Sequence, residues 1–598
     1  MRQTRPSWLD EFRTRRETSL QSPDPLLAAV IGPERERLVR DVAMRGGLMI
    51  VVDWVQVIFV AGFVACWLFW RDSRRLRVLA ALATAIIATA VWGIVIDRWQ
   101  AGVCALFGVF GLVAIGASRW RSTRAARAGR PASAWRLPWV TGVIWLCLGL
   151  AALFPMWMFP IRSLPKPDGK YVIGVRTFEL DDPSRKGLAG VPAGQPRRLL
   201  VRIWYPAGDV TGMRPRPYLT KEEAKTSARS ILGNALGFPP LFDHLRHVTT
   251  NAYEDAPLMP SAHSLPVLFF SHGYTSFLAQ NSALVEELAS HGYMIVSIQH
   301  TGDSGATRFP NGDIIPMEPI VWSTKRADGK PDPLLVRGVT ADDPGDRLDA
   351  TLAVRANAVK TNDRIGMRSA AMWLADRLFV HDQLQKGIVP AAIAPLAAAG
   401  NFTKVGEFGM SFGGATTGAV CMVDRRCAAG VNLDGTDLGF DAFDRNMPVP
   451  FLMLLSDTSD VFKLLGAKPP AQPRGGNEFS YERFADAGRL PTMHRVMVLD
   501  SKHVGITDFP LFIRQPFKGM ILGNAPADDL IGTQKDLVLA FFDHYLRGAD
   551  NGFPKVQIAR WPGRLVPISS SYVASWWRTK SRAEQEQWTK RVDAVRRH

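Results

Sequence analysis

A serine lies between glycines in the stretch Gly409-Met410-Ser411-Phe412-Gly413-Gly414, after a strand-like run and before a run of small residues. Strand, tight turn and helix in this order form the G-x-S-x-G nucleophile elbow, which holds a serine hydroxyl clear of a sheet. Glycine tolerates the strained dihedrals of such a turn and removes Cβ atoms where strand and helix pass closest. Ser411 is therefore a candidate nucleophile, and the amide of Phe412 would face a developing oxyanion. The motif alone leaves an ordinary glycine-rich helix cap as the alternative.

A serine nucleophile needs a base to take its proton and an acid to orient that base. Both should follow strands, because the carboxyl edge of an open α/β sheet carries the site. Of the histidines after Ser411, His503 directly follows the last predicted strand. His494 begins a strand, at the wrong edge, His544 has a helical setting, and His598 is the last residue. His503 is the predicted base.

Three acids compete to orient that histidine. Asp434 ends the sixth predicted strand, whereas Asp457 and Asp460 follow the seventh. Either loop can reach His503, and position alone slightly favours Asp457 or Asp460. All three remain candidates on the residues alone.

The second oxyanion donor is predicted at the end of the third strand, in Phe270-Ser271-His272-Gly273-Tyr274. A His-Gly turn at this point supplies a backbone donor in folds with a serine elbow. Gly273 allows a close approach of backbone to substrate, and the Tyr274 amide would donate. An ordinary strand-end turn is the weaker alternative, because motif, strand and elbow agree.

Apolar runs alternate with helical stretches from residue 166 onward, which predicts a mostly parallel sheet with helices on both faces. The eight predicted strands are Tyr171–Leu180, Leu199–Tyr205, Pro266–Ser271, Tyr293–Ile298, Lys404–Phe408, Gly430–Leu433, Val449–Ser456 and His494–Leu499. Helices are predicted at Phe277–His291, Asp349–Val380, Gly413–Val423 and Thr533–Arg547, and loops at Pro310–Asp346 and Gly466–Pro491. Eight strands with the elbow after the fifth is the order of an α/β-hydrolase.

Four apolar blocks crowd the first quarter of the 598-residue chain: Leu48–Trp70, Val78–Ile96, Ala101–Ala117 and Leu137–Phe159. Each is about long enough to cross a hydrocarbon core of ~30 Å. We therefore expect four transmembrane helices at 48–159, preceded by a basic tail at 1–47. A catalytic domain is expected at 164–560 and a basic, Trp-containing tail at 561–598. A cleaved signal peptide is not expected, since the first block begins only at residue 48.

Basic residues concentrate around the apolar blocks. Residues 1–165 hold 21 Arg against 10 acids, which accounts for +11 of the net charge of +17. The loops at 71–77 and 118–136 hold four and six Arg, whereas Asp97–Gln100 holds one. The positive-inside rule puts the Arg-rich loops in the cytoplasm and the large domain outside. The nine Arg of residues 1–47 point the other way, but seven acids accompany them. This charge indicates topology and contact with lipid headgroups, not nucleic-acid binding.

Two further features concern the surroundings of the domain. Cys421 and Cys427 lie six positions apart after the elbow helix. They form a disulfide if the domain is extracytoplasmic, and two buried thiols are the simpler interpretation. The tail, with Trp576, Trp577 and Trp588, is expected either on the membrane surface or packed on the domain as a solvated amphipathic helix.

Several short motifs together resemble the platelet-activating factor acetylhydrolase family, of the lipoprotein-associated phospholipase A2 type. They run in order across Leu164–Arg547: Leu164–Gly169 with Val172–Gly174, Val201–Pro206, Phe270–Gly273, Leu288–Tyr293, Gly409–Ala415, Leu433–Gly435, and His503 followed by Thr507–Phe509. Four membrane helices with Asp97-Arg98-Trp99-Gln100 in the middle also resemble bacterial membrane-anchored members.

The resemblance implies Ser411 as nucleophile, Asp434 as acid and His503 as base, with the Tyr274 and Phe412 amides as oxyanion donors. It favours Asp434 over the acids of the seventh strand because this family takes its acid after the sixth strand. It implies a serine esterase that needs no metal or cofactor. The expected substrate is a phospholipid with a short or oxidised sn-2 acyl group, beside the lipids of a bacterial plasma membrane.

Some residues depart from the family pattern. Met410 stands where members often have His, and Thr436 and Asp437 replace aromatic residues after the acid. These departures bear on substrate choice and not on the hydrolytic chemistry. The alternatives are a general carboxylesterase or dienelactone-hydrolase-like enzyme acting on small soluble esters, and a non-catalytic membrane sensor with a hydrolase-like domain. The oligomeric state is not predicted.

Overall fold

The structure, a computed structural model, describes residues 48–70, 74–129, 138–187, 190–192, 194–233, 238–319, 332–437, 439, 441–470 and 473–596. The basic tail predicted at 1–47 lies outside these residues.

Four helices form the N-terminal bundle: α1 (Leu48–Phe69), α2 (Arg75–Val95), α3 (Trp99–Arg127) and α4 (Pro138–Met158). Each is long and apolar enough to cross a membrane. Aromatic rings fill the centre of the bundle, where the centroids of Phe63 and Trp145 are 5.0 Å apart. Large apolar side chains such as Trp54 and Leu106 instead face outward, 62% and 60% exposed. An apolar exterior of this kind matches a hydrocarbon environment and not water.

An 11-stranded sheet forms the core of the remaining chain, in the order β13-β12-β11-β10-β9-β5-β6-β2-β1-β4-β3. The strands are β1 (Ile173–Lys186), β2 (Pro196–Pro206), β3 (Pro215–Pro217), β4 (Thr249–Glu254), β5 (Leu265–Ser271), β6 (Met294–Gln299), β7 (Thr307–Arg308), β8 (Ile314–Ile315), β9 (Gly400–Met410), β10 (Cys427–Leu433), β11 (Phe451–Ser456), β12 (Met493–Val498) and β13 (Leu565–Pro567). Strands β7 and β8 pair separately.

Helices cover the sheet and connect its strands. They are α5 (Lys221–Glu223), α6 (Ser282–Ser290), α7 (Pro333–Thr340), α8 (Pro344–Thr361), α9 (Ala370–Lys386), α10 (Ala394–Ala399), α11 (Phe412–Val423), α12 (Ser459–Leu464), α13 (Phe517–Ile521), α14 (Ala527–Arg547), α15 (Lys555–Arg560), α16 (Ser571–Arg578) and α17 (Arg582–Arg596). π-Helical turns occur at Ala224–Gly233 and Arg364–Ser369, and 3₁₀ turns at Pro239–His247, His503–Gly505 and Phe509–Leu511.

The sheet is mostly parallel and is buried on both faces. Strands β6, β5, β9, β10, β11 and β12 run parallel, and β2 is antiparallel to both of its neighbours. Along β5, Leu268 and Phe270 enter one apolar cluster, whereas Val267 and Phe269 enter the other. Continuous apolar runs of this type are typical of strands covered on both sides. All eight predicted strands are present, and the elbow follows the fifth, so the α/β-hydrolase fold is confirmed.

Three sheet strands were not predicted. Strands β3, β4 and β13 are short or marginal: β3 has a proline at each end, and β13 has three residues. β13 pairs with β12 through Leu565 and Val498. The sheet therefore continues past residue 560, where the sequence suggested a domain boundary.

The C-terminal tail is part of the domain core. Val573 and Val592 are fully buried, and Trp576 is 7% exposed in a cluster that includes Phe484. Burial of these side chains stabilises the tail on the domain, so the packed arrangement is found and the membrane-surface arrangement is not. Each apolar side chain buried in this way contributes about 1.5–3 kcal/mol.

Two helical predictions need correction. The helix expected at Asp349–Val380 is divided into α8 and α9, because Asn362 adopts a left-handed conformation with φ 46° and ends α8. The loop expected at Pro310–Asp346 contains α7, which Asp332 caps by accepting a hydrogen bond from the Leu334 amide. A proline at the first helical position favours the same start.

Cys421 and Cys427 are joined by a disulfide between the end of α11 and the start of β10. The simpler expectation of two buried thiols is therefore wrong. A close approach of a helix end and the next strand brings the two residues together, with Cα atoms 5.1 Å apart.

The turn between α2 and α3 fixes the bundle on the hydrolase domain. Arg98 is fully buried, pairs with Asp53 at 2.8 Å and donates to the Met156 and Phe159 carbonyls at 3.1 and 2.7 Å. The indole of Trp99 donates to the Leu241 carbonyl, 3.1 Å away in the hydrolase domain. The bundle and the domain therefore form a bonded junction.

Candidate active site

The elbow holds Ser411 at the carboxyl end of β9 in a strained backbone. Ser411 has φ 56° and ψ −121°, which non-glycine residues rarely adopt. A Cβ on Gly413 would lie 2.0 Å from the Ser271 carbonyl oxygen, and one on Gly409 would lie 2.3 Å from the Gly413 backbone. Both glycines are required by these close approaches. The Ser411 amide donates to the Leu433 carbonyl at 2.7 Å, which ties the elbow to β10.

Three side chains distant in the sequence meet at this edge. The Nε2 atom of His503 lies 2.8 Å from Ser411 Oγ, and its Nδ1 atom lies 2.7 Å from Asp434 Oδ2. With the proton on Nδ1, the imidazole donates to the carboxylate and accepts from the serine hydroxyl. This is the hydrogen-bond order that a serine, base and acid need.

Asp434 is itself held by the end of β11. Its Oδ1 accepts from the Ser456 amide at 2.8 Å, and its Oδ2 accepts from the Ser456 hydroxyl at 2.7 Å. The sequence showed Ser456 only as the end of a strand and gave no signal for this role. The one weak hint is its position as the last residue of a buried strand that neighbours the strand of a candidate acid.

Asp457, the competing acid whose side chain the structure describes, makes its hydrogen bonds to groups other than His503. The carboxylate of Asp457 accepts from the amides of Ser459 and Asp500, at 2.9 and 3.1 Å, and so stabilises its own loop. The side chain of Asp460 lies outside the described part of the chain.

Two opposing effects act on the pKa of His503. Burial by the surrounding protein lowers it, but the hydrogen bond and the charge of Asp434 outweigh burial and hold the pKa above its usual value. The ring still has 49% of its surface exposed, because it faces an open cavity. The imidazole is thus open to the cavity, whereas the Asp434 carboxylate is mostly covered.

Tyr274 lies beside the elbow, and a hydrogen bond to Asp303 holds its side chain in place. Its hydroxyl donates to Asp303 at 3.1 Å, and Asp303 also accepts from Arg364 at 2.7 Å and Trp373 at 3.0 Å. Burial, with the nearby charge of Asp303, raises the pKa of Tyr274 to about 12, so its hydroxyl stays protonated. The ring packs edge-on against Phe412, with centroids 5.5 Å apart. Phe412 is the first residue of α11, so its amide lies at the positive end of the helix dipole.

A cavity of about 310 Å³ opens over these residues. It is lined by Ser411, Phe412, Tyr274, Asp434 and His503, and by side chains of α7 and α8. A predominantly apolar concavity with a few converging polar groups is the usual form of a small-molecule site. Ser411, Asp434, His503, Tyr274 and Phe412 are thus all brought to one cavity.

One carboxylate and histidine group among the described residues has its ligand atoms close enough together for a metal ion: Asp168, Glu287 and His291. Those atoms already bond to one another, since His291 Nε2 lies 2.7 Å from Asp168 and 3.2 Å from Glu287. None of the three lines the cavity over Ser411.

Comparison with known proteins points to the same chemistry. Residues 156–313 match the family described as platelet-activating factor acetylhydrolase, isoform II. A protein of Arthroderma benhamiae named probable 1-alkyl-2-acetylglycerophosphocholine esterase is 23% identical over 430 residues, covering 67% of this chain and 92% of its own. Platelet-activating factor acetylhydrolase of Canis lupus familiaris is 24% identical over 307 residues, 49% of this chain and 60% of its own.

Among solved structures, a ferulic acid esterase from Streptomyces cinnamoneus is 23% identical and covers 68% of this chain and 100% of its own, with a TM-score of 0.46.

The fold, the elbow and the named relatives define the class: the chain is an α/β-hydrolase and a serine ester hydrolase. Within that class, its resemblance to the platelet-activating factor acetylhydrolase family, first indicated by the sequence motifs, is confirmed.

Proposed function

We propose that the chain is a membrane-anchored serine esterase that removes short or oxidised sn-2 acyl groups from phospholipids through a Ser411-His503-Asp434 triad. The hydrogen bonds of 2.8 and 2.7 Å that link these three side chains carry this proposal. The names of the relatives, which include an acetylglycerophosphocholine esterase, support the ester class.

The first step acylates the serine. His503 accepts the Ser411 proton on Nε2 as Oγ attacks the ester carbonyl carbon, and Asp434 stabilises the imidazolium that forms. The amides of Phe412 and Tyr274 would donate to the tetrahedral oxyanion, and losing one such donor typically costs about 3–4 kcal/mol. His503 then gives the proton to the departing alcohol, and the acyl group stays on Ser411.

The second step regenerates the enzyme. His503 takes a proton from water, whose oxygen attacks the acyl-serine carbonyl. Collapse of this second tetrahedral intermediate returns the proton to Ser411 and releases the carboxylic acid. Every proton in the cycle passes through Nε2 of His503.

A lipid substrate is supported by a short link between the membrane helices and the base. The Arg514 amide donates to the carbonyl of Met158, at the end of α4, at 3.0 Å. Arg514 begins a segment that ends at Leu522. The Leu522 carbonyl accepts a hydrogen bond from the amide of Lys502, the residue before His503, at 3.1 Å. Between them, Phe517 and Met520 are 42% and 67% exposed. The cavity would thus lie close to the bilayer that supplies its substrate.

We place the catalytic domain on the extracytoplasmic side of a bacterial plasma membrane. Asp97 pairs with Arg246 of the domain, so the turn between α2 and α3 lies at the domain end of the bundle. Because successive spans alternate in direction, the arginines at the start of α2 (Arg74, Arg75 and Arg77) and at the C-terminal end of α3 (Arg119, Arg121, Arg124 and Arg127) belong to the other end, which the positive-inside rule assigns to the cytoplasm. The disulfide between Cys421 and Cys427 suits an oxidising compartment.

The test uses the full-length protein in detergent and the variant Ser411→Ala. Turnover of a short-chain nitrophenyl ester and of a 2-acetyl ether phospholipid should fall at least ~10⁴-fold, and fluorophosphonate labelling should disappear. Ser575→Ala, on the exposed side of α16, is the control and should behave as wild type. Activity retained by Ser411→Ala would exclude the mechanism. Wild-type turnover of soluble esters without any turnover of the phospholipid would instead favour a general carboxylesterase.

A further inference from the structure

The cavity over Ser411 continues into a second space on the far side of His503. We call the first space the elbow lobe, lined by Ser411, Phe412, Tyr274 and Asp363. We call the second the arginine lobe, of about 460 Å³, lined by Arg474, Leu455, Thr458, Phe462 and Phe479. Residues lining both lobes are Leu334, Leu335, Val354, Asp434, Thr436 and His503. The two lobes therefore meet at the imidazole and under the helical hairpin of α7 and α8.

The chemistry of the triad assigns one lobe to each half of an ester. The leaving oxygen must come within hydrogen-bond reach of His503 Nε2, since the imidazolium protonates it. The carbonyl oxygen must point toward the Tyr274 and Phe412 amides, which belong to the elbow lobe. The acyl chain therefore occupies the elbow lobe, and the alcohol extends past His503 into the arginine lobe.

Two arginines line the alcohol's lobe, and they differ in their bonding. Arg347 is firmly held: it donates to both oxygens of Glu478 at 2.6 and 2.9 Å, and to the carbonyls of Ala341 and Asp342 at 2.8 and 2.7 Å. These four bonds engage four of its five N–H groups and fix Arg347 in the wall of the lobe.

Arg474 is held only loosely. Its Nη1 donates to the Ala341 carbonyl at 3.0 Å, and its nearest carboxylate is Asp342, 3.6 Å from Nη2. The Asp342 side chain is fully exposed to water, so this pairing is weak. The hydroxyl of Thr458 donates to the Arg474 carbonyl at 3.1 Å, which positions the backbone at the lobe. The guanidinium therefore keeps donors for a bound anion.

The two lobes also differ in the charged side chains that line them. The elbow lobe has Asp332 and Asp363 among its lining residues, and the described residues that line it include no Lys or Arg. The arginine lobe also has acids in its wall, Asp437 and Glu478, but Glu478 is paired with Arg347. Arg474 adds a cation that the described lining of the elbow lobe lacks, so a phosphate is favoured in the arginine lobe over the elbow lobe. Guanidinium groups bind phosphate oxygens through paired N–H donors, which adds orientation to attraction.

We propose that Arg474 is a specificity-determining residue that binds the phosphodiester of the leaving alcohol, so that the arginine lobe takes a lysophospholipid-type alcohol and the elbow lobe takes the acyl chain. This assignment rests on the proposed phospholipase function and makes it more specific. In this assignment, the ligand of Arg474 is the phosphate group of the substrate itself.

The experiment compares two acetyl esters that differ only at the third glycerol position, which carries either phosphocholine or a methyl ether. One is 1-alkyl-2-acetylglycerophosphocholine, and the other is the corresponding 1-alkyl-2-acetylglycerol with a 3-methyl ether, both in the same mixed micelles. Full-length wild type, Arg474→Ala and Arg474→Lys are assayed, with Arg489→Ala, an exposed arginine that does not line the lobe, as matched control.

For Arg474→Ala, kcat/KM on the phospholipid should fall about 10- to 100-fold, as expected for loss of hydrogen bonds to a charged group. The change should appear mainly in KM, because the phosphate is bound equally before and during the reaction. Turnover of the neutral ester should stay within about twofold of wild type, which also shows that the variant is folded. Arg474→Lys should recover part of the loss, since it restores charge without the planar fork.

Each other outcome is decisive. If wild type hydrolyses the phospholipid and Arg474→Ala does so equally well, the role of Arg474 is refuted and the proposed function stands. If both esters lose activity to the same extent, Arg474 supports the fold of the lobe and does not read phosphate. If wild type hydrolyses only the neutral ester, the phospholipase function itself fails, and this assignment fails with it.

Discussion

The junction with the bundle and the active-site cleft both gather residues from distant parts of the chain, but they treat polar groups in opposite ways. At the junction, Arg98 is fully buried and bonded to Asp53 and to two carbonyl oxygens. In the cleft, His503 is 49% exposed, and the side chain of Arg474 makes one hydrogen bond to the described part of the chain.

This difference separates structural polar groups from functional ones. A buried guanidinium that lacks partners is costly, so the junction satisfies every nitrogen of Arg98. A group that must bind or react needs unused donors or acceptors facing a cavity, and the cleft keeps them there. Arginine therefore bonds through every guanidinium nitrogen in one region, whereas in the other it keeps donors that face a cavity.

Removing the orienting acid should have the largest effect on the cleft. In Asp434→Asn, kcat on a nitrophenyl ester should fall by about 10³–10⁴-fold, because the amide favours the wrong imidazole tautomer. Asp457→Asn is the matched control, and we expect a change below about threefold, because the Asp457 carboxylate only accepts bonds from its own loop and the Asp500 amide. A larger loss in Asp457→Asn than in Asp434→Asn would show that the acid has been assigned to the wrong strand.

Removing Arg98, which joins α1 to the end of α4 beside the junction, should reduce stability without touching the chemistry. Arg98→Ala should lower the free energy of unfolding by about 3–5 kcal/mol, because Asp53 and two carbonyls lose their partner. Thermal unfolding in detergent measures this, with soluble-ester turnover by the remaining folded protein as the check on the site. Arg582→Ala, from the exposed pair with Glu586, should change stability by less than about 1 kcal/mol. Equal effects of the two substitutions would remove the distinction drawn here between the junction and an ordinary surface.

The smallest expected effect is on pH dependence. His503 must be neutral to accept the Ser411 proton, so kcat/KM should fall as pH drops through its pKa. Since Asp434 holds this pKa above the usual value for histidine, the inflection should lie above pH 6.5. In Asp434→Asn only burial remains, and the inflection of the residual activity should move to lower pH. An inflection that stays in place would mean that Asp434 does not set the basicity of His503.

Local signals predicted much of the sheet and of the site. All eight predicted strands formed because each is an apolar run between turn residues. The elbow glycines are required because a Cβ at these positions would lie as little as 2.0 Å from backbone atoms. Strands β3, β4 and β13 were missed because they are short and lie at or near the sheet edges, where pairing with a neighbour and not their own pattern defines them. The division between α8 and α9 depends on one left-handed residue, Asn362.

The amino-acid sequence by itself determined the fold class, the nucleophile elbow and the four apolar spans, because each follows from periodicity or from residues close together in the chain. Only the tertiary structure brought Ser456 to Asp434, joined Cys421 to Cys427 and placed Arg474 beyond His503. These contacts join residues from different strands and loops, and their geometry depends on how the strands are ordered in the sheet. No local pattern carries that information, since it arises when the two faces of the sheet are buried.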